Sequence, residues 1–183
     1  MRKARFSLAG VFMLAAAVTL TGCGEEKKKE AAPQLPERTC FGVFTQSDLE
    51  PLLGTGETVK VDSPADVRLT AQRPGATCNV YVDGKGRVLV TATRKPSGQS
   101  ITWPPMDQNQ PAPDSLPLGD KGIVWNTGAR VAVTCKGSKD SFELELGISG
   151  STDQMKPGTS RPLFTGLMTK YLDAAKQQTG CGV

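Results

Sequence analysis

The sequence contains no histidine. That excludes a histidine general base, a Ser-His-Asp or Cys-His nucleophile and any histidine metal ligand. Aromatic residues make up only 5% of the chain, and after residue 39 no basic run is interleaved with them, so nucleic-acid binding is not expected. There is no GxSxG and no SxxK, and hence no familiar serine nucleophile. Gly54-Thr55-Gly56 and Gly84-Lys85-Gly86 each begin like a phosphate loop, but neither is completed, and both read as turns. Asp83-Gly84 lacks the surrounding oxygen ligands of an EF-hand. The cysteines include no CxxC pair, which leaves no zinc site or thioredoxin-type motif. No metal and no cofactor is expected.

A long membrane span is also missing from the amino terminus. Residues 6–20, FSLAGVFMLAAAVTL, are uncharged but fall short of the about 20 residues a bilayer crossing needs. Preceded by Arg2, Lys3 and Arg5, they have the length of a signal-peptide h-region. The run ends in Leu20-Thr21-Gly22-Cys23, the pattern of a bacterial lipobox. In that pattern the cysteine thiol accepts a diacylglyceryl group and small neighbours admit the peptidase. Residues 1–22 are therefore read as a lipoprotein signal, and Cys23 as the lipidated residue that anchors the chain to the outer face of the cytoplasmic membrane. Residues 23–39, rich in Glu and Lys and poor in apolar side chains, read as a flexible charged tether. Lys27–Lys29 are flanked by glutamates and read as solvated rather than as a headgroup contact. With three basic residues in the signal, the net charge of +4 falls to +1 for the mature chain.

Residues 40–183 form one domain, large enough to fold without a ligand. Cys40, Cys78, Cys135 and Cys181 in an exported domain read as two disulfides, with three possible pairings. Ser47-Asp48-Leu49-Glu50 matches a capping box and starts a short helix with Leu49, Leu52 and Leu53 on one side, ended by Gly54. Alternating apolar residues mark strands at 58–62, 67–72, 78–83, 87–94, 122–126, 129–136 and 141–148. Asp83-Gly84-Lys85-Gly86 gives a hairpin turn. A longer helix is expected over 161–178, capped by Ser160, with an apolar stripe of Phe164, Leu167, Met168, Tyr171, Leu172 and Ala175. The expected fold is α+β: an antiparallel sheet of about six to seven strands, covered on one face by both helices. Cys78 and Cys135 lie on apolar strand faces, while Cys40 precedes the first helix and Cys181 follows the last. A staple between each helix end and the sheet favours Cys40–Cys78 with Cys135–Cys181.

Two features are candidates for function. The Pro-rich stretch near 95–120 exceeds the length of most structureless connections and carries Trp103, Pro104, Pro105 and Met106, a sticky and stiffened group suited to partner binding. Its plain alternative is a connector with Trp103 at the core rim. Glu143 and Glu145 share one strand face and could run histidine-free glycosidase chemistry; their alternation with apolar residues reads instead as a solvated sheet face. Trp125, among Ile123 and Val124, reads as core.

The lipobox, the tether and Cys40 leading into FGVFTQSDLEPLLG, followed by Cys78-Asn79-Val80-Tyr81-Val82, together resemble secreted actinobacterial lipoproteins of unknown function, as found in Streptomyces and Mycobacterium. The likeness covers the signal and residues 40–94 well and the rest in outline. It implies export and disulfides, and it brings no catalytic residues. The reading is a non-enzymatic, membrane-anchored extracytoplasmic lipoprotein that binds an envelope protein, wall polymer or small ligand. The alternatives are a carboxylate-based wall-glycan hydrolase and a small solute-binding lipoprotein.

Overall fold

The computed structural model describes residues 32–96, 103, 111–136, 140–150, 155–156 and 158–181. The stretch read as a signal (residues 1–22), Cys23, Lys27–Lys29, Pro104, Pro105 and Met106 lie outside the described residues.

The chain runs α1 (Gln46–Leu53), β1 (Val59–Asp62), β2 (Gly75–Val82), β3 (Lys85–Lys95), β4 (Asp114–Ser115), β5 (Lys121–Trp125), β6 (Gly128–Thr134), β7 (Ser141–Ile148) and α2 (Ser160–Thr179). The strands form one seven-stranded sheet in the order β1-β2-β3-β7-β6-β5-β4, with every neighbour antiparallel. Two meanders, β1–β3 and β4–β7, meet where β3 pairs with β7. The α+β fold read from the sequence is the one observed, and so is the disulfide pattern: Cys40–Cys78 and Cys135–Cys181.

Period-two alternation puts Cys78, Val80, Val82, Val88, Val90, Ala92, Val131, Val133, Phe142, Leu144 and Leu146 on the inner face, all buried. α1 packs near β3, and α2 lies along β5, β6 and β7. The expected apolar stripe of α2 is buried from Phe164 to Ala175. Tyr171 is packed between Phe41 and Phe44, with ring centroids 5.9 and 6.1 Å away. Its hydroxyl is buried without a hydrogen-bond partner, and this burial raises its pKa well above the ordinary phenol value.

Local signals held at the turns. Asp83 and Gly84 have φ of 49° and 75°, the left-handed pair that a two-residue hairpin loop requires. Gly180 closes α2 in the left-handed conformation, its N–H and that of Cys181 returning to the last helical carbonyls.

Several details differ from the sequence reading. β4 forms inside the stretch read as a Pro-rich loop, and the residue before α2 is Thr159, with Ser160 its first helical residue. The cap of α1 is Thr45 rather than Ser47. Thr45-x-x-Asp48 matches the capping pattern as well as Ser47-x-x-Glu50 does, and Asp48 accepts hydrogen bonds from both the N–H and the hydroxyl of Thr45 at 2.8 Å. Pro51 consequently sits inside the helix. Residues 67–72 are not a strand. Val67 is buried as its alternation implies, but its N–H is satisfied by the Gln178 side chain of α2 at 2.8 Å rather than by a strand. Finally, the domain reaches back into the segment read as tether. Gln46 receives the Leu35 N–H at 2.6 Å and donates to the Pro33 carbonyl at 3.3 Å. Pro33 is buried, and Leu35 packs against the core.

Candidate functional site

Position in the sheet explains why the Pro-rich connection is long. β3 ends at Lys95 in mid-sheet and β4 starts at the far edge. The chain must pass β7, β6 and β5, four strand spacings or about 19 Å. The 96–113 segment far exceeds that reach. The helices cover the inner face, and Trp103 lies on the outer one. Its ring lies 4.4 Å from Lys121 Nζ and 5.8 Å from Arg130 Cζ, both within cation–π range. Lys121 and Arg130 alternate with inward-facing Gly122, Val124 and Val131 on β5 and β6, so they share the outer face.

Beneath Trp103 is a charge cluster. Arg130 stands opposite Glu145 in the β6–β7 register. Its guanidinium donates to Glu145 at 2.6 Å and lies 3.5 Å from Glu143. These side chains are not a solvated fringe: Arg130 and Glu143 are each 16% exposed and Glu145 is 30% exposed. The expectation of a solvated glutamate face is therefore corrected. The Trp103 ring and the paired guanidinium shield one another. The sequence carried half of this signal, in the spacing of Glu143 and Glu145; the contribution of Arg130 needed the strand register.

Chemically, this arrangement suits recognition better than hydrolysis. A glycosidase needs one carboxyl free to protonate a leaving group and another free to attack or to activate water. Here both carboxylates face a single guanidinium. The Trp103 indole N–H is buried with no hydrogen-bond partner, an unspent donor beside the cluster. Among the described residues, no group of three His, Cys, Asp or Glu side chains is placed to hold a metal ion. Trp125 is buried, but it lies on the outer face with Lys121 and Ile123 rather than in the core cluster that holds Val124.

A second concavity lies at the end of the sheet where β3, β6 and β7 meet the end of α2. It encloses about 250 Å³ and is lined by Leu69, Arg94, Asp140, Phe142 and both cysteines of the Cys135–Cys181 bridge. Arg94 is ion-paired with Asp140 there. The sequence had marked the cysteines as structural and had given no sign of the cavity, because its walls come from five separate segments.

Among the described residues, no helix is long and apolar enough to cross a membrane. The chain matches no family model, no curated protein and no solved structure.

Proposed function

We propose that this chain is a lipoprotein, anchored through diacylglyceryl-modified Cys23 on the extracytoplasmic face of the cell membrane, whose domain binds a partner in the envelope without catalysing a reaction. Membership of the secreted actinobacterial lipoproteins is part of the same reading. The lipobox Leu20–Cys23 supports the anchor, and the two disulfides fit an oxidising compartment. The binding role rests on one observation: the long connection places Trp103 against the Lys121–Arg130 pair on the sheet face that the helices leave uncovered. A half-buried aromatic side chain beside paired charges is the composition of a recognition patch. The commitment of Glu143 and Glu145 to Arg130 weighs against the glycan-hydrolase alternative.

Two experiments test the reading. Metabolic labelling with radioactive palmitate should mark the wild type and not a Cys23→Ala variant; equal labelling refutes the anchor. In-cell crosslinking from a photoreactive residue at position 103 should capture a discrete envelope component. A control at exposed Thr169, on the helix layer, should not. The same products from both positions would leave the connection as a strap with no binding role.

A further inference from the structure

The two disulfides occupy different surroundings, and the difference has a chemical consequence. Cys40 and Cys78 are 1% and 0% exposed, inside the core between the 39–44 turn and β2. Cys135 is half-buried and Cys181 is 4% exposed, and both form part of the wall of the 250 Å³ cavity. Lys136, which is exposed, and Arg94 line the same cavity. Against these two cations stand the Asp140 carboxylate and the carboxyl-terminal end of α2, which together cancel only part of the positive charge. Cationic surroundings stabilise a thiolate, and exchange proceeds through thiolates at an accessible sulfur.

Contacts other than this bridge hold α2 in place. α2 is held by its buried stripe from Phe164 to Ala175. Gln178 adds a second fastening one turn before Cys181: its side chain accepts the Val67 N–H at 2.8 Å and donates to the Phe41 carbonyl at 3.0 Å. Opening the bridge frees only the segment after Thr179 and widens the cavity, leaving the helix docked.

We infer that Cys135–Cys181 is a reversible redox site, opened by a dithiol reductant while Cys40–Cys78 stays closed, and that its state sets the shape of the cavity it lines. In the first step a thiolate of the dithiol attacks Cys135 Sγ. The S–S bond breaks, a mixed disulfide forms, and Cys181 leaves as a thiolate that takes a proton from water. The second thiol of the dithiol then loses its proton and attacks its own mixed-disulfide sulfur, releasing Cys135 as a thiolate. The dithiol ends as a disulfide, and its two electrons reside on the two protein sulfurs.

The test is graded reduction of the full-length protein in detergent with dithiothreitol. Free thiols are trapped with iodoacetamide and peptides are mapped by mass, with near-ultraviolet circular dichroism followed in parallel. Cys135 and Cys181 should be alkylated about tenfold faster than Cys40 and Cys78, with the aromatic dichroism retained. Lys136→Gln should slow that first phase severalfold without changing the denaturation midpoint, a response that exposure alone would not give. Alkylation of all four cysteines together, reaction of Cys40 and Cys78 first, loss of dichroism with the first phase, or an unchanged rate in Lys136→Gln overturns the inference.

Discussion

Single side chains join the two helices. Lys170 of α2 donates to both oxygens of Asp48 at 2.8 and 2.6 Å, so the acidic residue of the α1 capping box is also the contact between the helices. Burial pushes the Asp48 carboxyl up, but the Lys170 hydrogen bond and charge and the two Thr45 hydrogen bonds outweigh it and hold its pKa below 3.8. A depressed carboxylate stabilises the fold fully above its unfolded value and loses that contribution as pH falls through the folded one. Stability should therefore decline on acidification below about pH 4. Asp48→Asn should remove that part of the acid limb and cost about 1–2 kcal/mol at neutral pH, read from urea titrations at a series of pH values. Tyr171 makes the opposite prediction. Its hydroxyl is buried and unpartnered, so Tyr171→Phe keeps the ring packing and deletes an unsatisfied group. The variant should be more stable by about 1 kcal/mol, measured in the same titration. The sequence placed a capping box here but set it at Ser47-x-x-Glu50, two residues late; the partner of Asp48, far along the chain, left no local sign.

At the scale of elements, strand and helix positions followed from periodicity because each element has one buried face. β7 shows this most plainly, with Phe142, Leu144 and Leu146 buried and Glu143 and Glu145 on the other side. The same rule misplaced residues 67–72, since an alternating segment can satisfy its backbone with a side chain, here Gln178, as well as with a strand. It also missed that the stretch before Cys40 docks, because two hydrogen bonds to one glutamine leave no periodic trace. Gln46→Ala should free that stretch. Hydrogen exchange at Leu35 should accelerate and proteolysis near Pro33 increase, while global stability changes by no more than about 1 kcal/mol. Residues 33–38 would then be released, up to the bridge between Thr39 and Phe44.

At the scale of the whole molecule, the two bridges close loops of similar length, with separations of 38 and 46 residues. Loop entropy alone would make them equivalent to within about 0.2 kcal/mol. The core position of Cys40–Cys78 breaks that equality. Replacing Cys40 and Cys78 with alanine should lower stability by at least about 1 kcal/mol more than replacing Cys135 and Cys181, because both cysteines of the first pair are fully buried while Cys135 is only half-buried and leaves less of a void. Calorimetry of the two double variants decides the order. By itself the sequence determined the fold class, the helix stripes and the Asp83-Gly84 turn, and it favoured one of three cysteine pairings, all from local periodicity or the ends of elements. Only the tertiary structure decided that β7 inserts beside β3, that Trp103 rests on Lys121 and Arg130, and that one bridge is sealed while the other lines a cavity. Those outcomes depend on which distant segments share a face, and a one-dimensional pattern of apolar residues does not encode that choice.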